Sequence, residues 1–139
     1  MMESDDFLQN ERDSLFELTG VGASHAARAL SALLSREFVA SAPRIRDGAD
    51  YRRDERWRAA VIFEADGELT GLVAILLSAP SRDSFASLLL GKDDRSNCDT
   101  ALGSALRELG NIVASHTISA IADTLGSRIL LSVPLLVMD

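Results

Sequence analysis

Two long segments of the chain carry apolar residues at spacings of three and four, which is the periodicity of a helix with one buried face. The first segment runs from Leu15 to Leu33. The second ends near Leu125, and its first turn can be capped by Asp99 or Thr100. We therefore predict two long amphipathic helices, one in each half of the chain.

Shorter apolar runs between these helices are typical of β-strands. The runs 57–64 and 69–77 flank the dipeptide Asp66-Gly67, which is a strong signal for a β-hairpin. A third, shorter helix is predicted to open at Pro80, because proline is favoured in the first turn of a helix.

Two further apolar runs, 39–45 and 129–138, each follow one of the long helices. They contain Pro43 and Pro134, and proline donates no backbone hydrogen bond, so each predicts an edge strand or a kinked strand. The order of elements is helix, strand, hairpin, short helix, helix, strand. It predicts an α/β domain in which the two long helices cover one face of a largely antiparallel sheet.

The two halves of the chain read as copies of one helix–strand unit. An offset of 91 residues aligns Leu106 with Leu15 and brings identical residues into register without a gap. The first-copy residues that recur are Leu15, Glu17, Leu18, Ala23, Ser24, His25, Ala29, Leu34, Ser41 and Pro43. A match of this kind indicates an internal duplication. We predict a single domain over residues 1–139, with a first repeat over about 10–91 and a second, truncated repeat over about 97–139.

The composition is that of an ordinary globular protein, with 47% hydrophobic and 25% charged residues. The net charge of −7 disfavours nucleic acid and anionic membranes as main partners, because both present negative charge. The single Cys98 is typical of a reducing compartment, and no apolar run has the length of a membrane span. We therefore expect a cytoplasmic protein.

A polar stripe is predicted on the second long helix, nearly opposite its apolar face. Its members, at helical spacing, are Ser104, Glu108, Asn111 and Ser115. Most such stripes are simply solvated, but here glutamate and serine recur on the corresponding stripe of the first copy. That stripe consists of Asp13, Glu17, Gly20 and Ser24. His25 and His116 flank the stripes with no third ligand near either, so no metal site is predicted.

The second stripe is similar to the signature of the CheC/CheX/FliY family of chemotaxis phosphatases. The four positions that match this signature are Ser104, Glu108, Asn111 and Pro134. The resemblance extends from about residue 10 to the end of the chain and indicates a short CheC-like protein. It implies a duplicated α/β fold with both long helices exposed on one side.

The resemblance also implies an activity, the hydrolysis of the aspartyl phosphate of a CheY-type response regulator. Asn111 would orient the attacking water through its carboxamide, and Glu108 would pair with a lysine of the regulator. Ser104 and Pro134 would support this catalytic pair. The family implies no cofactor bound by the phosphatase itself, because the regulator supplies and holds the Mg²⁺ ion.

The first stripe departs from the signature, because Gly20 stands where the second stripe has Asn111. We therefore expect Asp13, Glu17 and Gly20 to form a degenerate site that serves only for docking. Glycine at this position also has a structural interpretation, in which Gly20 and Gly22 let the helix pack closely against a neighbour.

Proteins of this family continue beyond the second proline with further strands, whereas this sequence stops at Asp139. We therefore expect the last strand to lie at an open sheet edge. Apolar open edges invite pairing with another chain, so we predict a homodimer.

Two other functions remain open at this point. One is a non-catalytic binding module for a chemotaxis protein, either CheD or a receiver domain. The other is a relative of flagellar-switch proteins that acts in assembly. Asn111 favours the enzyme, because a scaffold has no use for a water-orienting carboxamide, whereas the missing strands favour the binding module.

Overall fold

A computed structural model describes residues 2–46, 56–91 and 98–138. Its three helices are α1 (Met2–Leu34), α2 (Ala79–Leu90) and α3 (Cys98–Leu125). Residues 47–55 and 92–97, a charged segment and a polar segment that the sequence predicts to be a loop and a linker, lie outside the described residues. Within those residues, no helix combines the length and the apolar character needed to cross a membrane.

The strands form one antiparallel sheet around a long central strand. The four strands are β1 (Trp57–Gly67), β2 (Gly71–Ser78), β3 (Ile129–Leu131) and β4 (Leu135–Met138). β1 pairs with β2 along one side and with β4 and then β3 along the other. β3 and β4 are therefore the two halves of the predicted final strand, which is interrupted between Leu131 and Leu135.

The hairpin and the short helix are both confirmed. β1 continues through Gly67, so the connection to β2 lies at residues 68–70, slightly later than the sequence suggested. α2 begins after Ser78, whose hydroxyl oxygen accepts a hydrogen bond from the backbone N–H of Ser81 at 3.3 Å. It ends at Gly91, which has a φ of 74° that glycine adopts readily.

The strand predicted over residues 39–45 is wrong, because this stretch forms neither helix nor strand. The central strand β1 already has a partner on each side, and Pro43 cannot donate to a ladder. The chain here is held to the helices instead. The backbone N–H of Phe38 donates to the hydroxyl of Ser31 at 2.9 Å, and the Phe38 ring stacks on Phe85 at a centroid distance of 5.9 Å.

The core lies between the sheet and the helices α2 and α3. Its buried members are Ala59, Val61, Phe63, Leu77, Leu106, Leu109 and Ala114. The predicted α/β class with an antiparallel sheet is confirmed. The two long helices are arranged in an order that the sequence did not reveal, since α3 lies directly on the strands and α1 packs mainly along α3.

Gly110 sets the distance between α3 and the sheet. A Cβ atom at this position would lie 2.6 Å from Cγ1 of Val61 and 2.8 Å from its Cβ, which is closer than real atoms approach. The backbone of α3 therefore rests directly on the side chain of Val61 in the central strand. This contact explains why a glycine occupies the middle of a long helix, where it costs about 1 kcal/mol relative to alanine.

We expect Gly110→Ala to lower the free energy of unfolding by about 1–2 kcal/mol. Overpacking a core costs about 1–3 kcal/mol, which exceeds the gain in helix propensity of about 1 kcal/mol. Chemical denaturation measures the change. Gly71→Ala serves as the control, because no atom lies within 4 Å of a Cβ built there.

The same substitution made in a Val61→Ala background should cost much less, because the atoms that it would strike are gone. An equal loss of stability in both backgrounds would show that the contact between Gly110 and Val61 does not set the position of α3.

Candidate functional site

The polar stripe of α3 faces away from the sheet, as predicted. Leu106 and Leu109, on the apolar side of the helix, are only 0% and 2% exposed. Ser104, Glu108 and Asn111 are exposed on the other side, and Ser115 is half-buried.

An open depression of about 470 Å³ lies between α3 and the interruption of the edge strand. It is lined by Arg107, Glu108, Asn111, Leu131, Ser132, Val133 and Pro134. The structure thus brings together Glu108, Asn111 and Pro134 of the predicted motif, although Pro134 is 23 residues after Asn111 in the sequence (134 − 111). Ser104 lies one helical turn before Glu108 and is not part of this lining.

Ser132 holds the interrupted strand in register with β1. Its backbone N–H donates to the carbonyl oxygen of Glu64 at 2.9 Å, and its hydroxyl oxygen accepts from the backbone N–H of Glu64 at 2.8 Å. The same hydroxyl donates to the carbonyl oxygen of Val133 at 3.1 Å. The serine side chain therefore replaces one rung of the ladder at the point where the strand turns towards the helix with Val133 and Pro134.

The functional groups of Glu108 and Asn111 have no hydrogen-bond or ion-pair partner among the described residues. A free carboxylate can accept hydrogen bonds, and a free carboxamide can accept and donate at the same time. Because the two side chains are three residues apart on one helix, they point to the same side. The pair is therefore available to a molecule that approaches the depression from solvent.

Four residues that line the depression were not among the predicted site residues, namely Arg107, Leu131, Ser132 and Val133. Arg107 is four residues before Asn111, so helical spacing alone was enough to place it beside the motif. It places a positive charge beside the negative charge of Glu108 in the lining of the depression. Val133 is 85% exposed, and nothing in the sequence signalled it, because its exposure depends on the interruption of the strand.

The first stripe keeps part of the same geometry. Asp13 and Glu17 are exposed, and Asp13 accepts a hydrogen bond from the side chain of Gln9 at 3.1 Å. A Cβ atom on Gly20 would have Cγ of Pro43 as its nearest neighbour, at 4.0 Å. The first copy therefore also places its proline, Pro43, beside the third position of the stripe. That position is Gly20, which has no side chain.

Close helix packing explains one glycine of α1 and not the other. A Cβ atom on Gly22 would lie 2.8 Å from Cγ2 of Thr117 in α3, so the two long helices pack too closely at this residue for a side chain. Gly20 has ordinary space around it, with no contact shorter than 4.0 Å. Space therefore does not require glycine at this stripe position.

The histidines that flank the stripes, His25 and His116, are both exposed. Within the described ranges, no group of three or more His, Cys, Asp or Glu side chains is arranged to hold a metal ion.

Solved structures share this fold. FliY from Thermotoga maritima superimposes with a TM-score of 0.72 and 22% identity, over 94% of this chain and 69% of that one. A chain of the CheX–CheY–BeF₃–Mg²⁺ complex from Borrelia burgdorferi gives a TM-score of 0.64 and 18% identity, over 84% of this chain and 73% of that one.

Sequence comparison extends this likeness to the site. The chain is 28% identical over 146 aligned positions to the CheY-P phosphatase CheC of Bacillus subtilis (strain 168), and the alignment covers 94% of this chain and 68% of that protein. The profile of the CheC-like family matches residues 103–138. In sequence and in fold the chain is therefore similar to proteins of the CheC/CheX/FliY family. The CheC-like segment includes every residue that lines the depression.

We expect Ser132→Ala to lower the free energy of unfolding of this CheC-like chain by about 1 kcal/mol, because a serine hydrogen bond to the backbone contributes about that much. Ser41→Ala is the matched control. Ser41 is the counterpart of Ser132 in the first copy, but it is exposed and has no hydrogen bond among the described residues. Equal denaturation midpoints for the two variants would contradict the assigned role of Ser132.

Proposed function

We propose that this CheC-like chain hydrolyses the aspartyl phosphate of a CheY-type response regulator. The observation that carries the proposal is the pair Glu108 and Asn111, exposed side by side at the edge of an open depression, with no partner among the described residues. Two comparisons support it. The curated relative is named a CheY-P phosphatase, and the CheX structure with the same fold is a complex with CheY.

The openness of the site suits a substrate that is itself a protein. The depression lies between the exposed face of α3 and the interruption between β3 and β4, with the apolar side chain of Val133 on its rim. A small molecule would be poorly enclosed here, because ligand pockets usually surround most of a ligand. The surface of a folded domain can lie across α3 and cover the depression from outside.

In the proposed reaction Asn111 positions a water molecule. The carboxamide oxygen accepts a hydrogen bond from the water and holds it in line with the phosphorus atom. The water oxygen forms a bond to phosphorus while the bond from phosphorus to the aspartyl oxygen breaks. The products are inorganic phosphate and the free aspartate of the regulator. Asn111 gains and loses no proton in this scheme.

Glu108 is assigned to docking. Its carboxylate is one helical turn from Asn111 and pairs with a lysine of the regulator, which fixes the register of α3 on the partner. The Mg²⁺ ion in this proposal is held by the regulator. The described residues of this chain offer no cluster of side chains suited to hold it.

We expect Asn111→Ala to reduce the acceleration of dephosphorylation by about 100-fold, a loss typical of removing one preorganised polar group. Glu108→Ala is expected to raise KM about tenfold with a smaller change in kcat, because it acts in docking. The assay loads a CheY-type regulator from acetyl phosphate and follows the decay of the phosphorylated form with and without this protein.

Ser119→Ala and Glu68→Ala are the controls. Both residues are exposed, Ser119 two turns beyond Asn111 on α3 and Glu68 in the hairpin connection, outside the residues that line the depression. Both should behave as wild type. Unchanged decay on addition of wild-type protein, or equal activity of wild type and Asn111→Ala, would contradict a phosphatase with this site.

A non-catalytic binding module is the alternative function. The exposed acidic stripe of α1 favours it, since Glu17 keeps the docking position while Gly20 supplies no carboxamide. The binding module predicts that the wild type binds the phosphorylated regulator without shortening its lifetime. The same decay assay, combined with a measurement of binding, therefore separates the two functions.

We expect Gly20→Asn to create a second active stripe. The position has room for a side chain, and its neighbour Pro43 matches the proline beside Asn111. The substitution should be neutral or slightly stabilising, because asparagine is tolerated better than glycine in a helix. Made in the Asn111→Ala background, it should restore measurable phosphatase activity.

If Gly20→Asn restores no activity in that background although the wild type is active, α1 does not dock the regulator in the manner of α3. The proposed function of α3 is unaffected by that outcome, because it is tested by Asn111→Ala alone.

A further inference from the structure

Val133 has the greatest exposure of any large apolar side chain in the part of the chain that the structure describes. It is 85% exposed, followed by Val39 at 81%. A single exposed apolar residue needs no explanation on a protein surface. Val133 differs from the other exposed apolar residues in its place, because it lines the depression together with Asn111 and Pro134.

The backbone that carries Val133 is held from both sides. Ser132 makes two hydrogen bonds with the backbone of Glu64, at 2.8 and 2.9 Å, and its hydroxyl also donates to the carbonyl oxygen of Val133. Pro134 restricts the residue before it to an extended conformation. A side chain that is held in place before binding loses little conformational entropy when a partner covers it. Val133 is therefore a preorganised apolar contact.

The size of a protein interface brings Val133 into contact with any folded domain that docks at Asn111. A domain in a specific complex covers about 800 Å² of its partner, which is a patch roughly 30 Å across. Val133 and Asn111 line the same depression, whose volume is only about 470 Å³. A domain that presents a phosphorylated aspartate to Asn111 therefore covers Val133 as well.

The charged residues of the depression have a different effect on docking from an apolar contact. Arg107 and Glu108 are both exposed in the lining. Exposed charges govern the orientation and the rate of docking more than its affinity. Burial of apolar surface is the dominant favourable contribution to most protein association. Val133 offers the most exposed apolar side chain of the lining for such burial.

The two copies of the duplicated unit differ at this position too. The residue of the first copy that corresponds to Val133 is Ala42 (133 − 91), between the matching Ser41 and Pro43. The copy that lacks a carboxamide at the third stripe position therefore also carries the smaller apolar side chain. Both differences occur beside the proline of the copy, which associates Val133 with the stripe that keeps its asparagine.

We propose that Val133 determines the affinity of this chain for the regulator, by burying its side chain against an apolar residue next to the phosphorylated aspartate. This inference rests on the proposed function, since it takes the regulator as the partner that covers the depression. Val133 binds and takes no part in the chemistry, in which Asn111 orients the water. Its substitution therefore changes KM and the dissociation constant and leaves kcat near the wild-type value.

The experiment measures the dissociation constant for a CheY-type regulator carrying BeF₃ and Mg²⁺, together with kcat and KM for the phosphorylated regulator. Val133→Thr keeps the shape of the side chain but adds a hydroxyl group, whose burial without a partner is unfavourable. Val133→Ala removes two methyl groups from the contact. Each change is expected to raise the dissociation constant about five- to tenfold. Val133→Ile keeps an apolar side chain and should bind within about twofold of wild type.

Val39→Thr is the matched control, because Val39 is almost as exposed but lies outside the lining of the depression. It should bind as wild type does. Salt provides a second check on the kind of contact. The loss caused by Val133→Thr should be equal at low and high salt, whereas the loss caused by Glu108→Ala should shrink as salt screens the ion pair.

Unchanged dissociation constants for both Val133→Thr and Val133→Ala would overturn the inference, and so would a lower kcat with an unchanged KM. If wild type accelerates the decay while these variants bind normally, this inference fails and the proposed function stands. If wild type binds the BeF₃-carrying regulator through Val133 but leaves the decay unchanged, the phosphatase is rejected and the contact stands.

Discussion

The contact of Gly110 with Val61 is the constraint on which the rest of the structure depends. It brings the backbone of α3 directly onto the central strand and so fixes the height of this helix above the sheet. The neighbours of Gly110 on either side are Leu109, which is buried, and Asn111, which is exposed. One close contact therefore anchors the core and, one residue later, orients the group on which the proposed chemistry depends.

The depression is lined by α3 on one side and by residues 131–134 on the other, and this second side is positioned by the same central strand. Ser132 makes two hydrogen bonds with Glu64 of β1, three residues beyond Val61. Regular pairing with β1 stops at this point, and the serine hydroxyl accepts the hydrogen bond that a backbone carbonyl oxygen accepts in an unbroken ladder. Both walls are thus held by adjacent parts of β1, which explains how residues far apart in sequence keep a defined separation.

The duplication is preserved unequally in three dimensions. Both copies place a proline beside the third position of the polar stripe, and both helices carry an exposed glutamate one turn earlier. The copies differ in how the proline-containing segment is held. The second segment, 129–138, pairs with β1, whereas the first, 39–45, forms no strand. Gly20 has space for a side chain, so the loss of a carboxamide from the first stripe is not a requirement of packing.

The sequence by itself determined the helices, the hairpin, the polar stripe and the motif that includes Glu108, Asn111 and Pro134. The helices, the hairpin and the stripe depend on periodicity and turn residues, which are local properties of a chain, whereas the motif was indicated by its resemblance to a family signature. Tertiary structure alone decided that residues 39–45 do not form a strand and that α1 reaches the sheet through α3. It also decided that Val133 lies on the rim of the depression. The reason is physical. An apolar run has the potential to pair or pack, but which partner it meets depends on the edges and faces that other segments have already occupied.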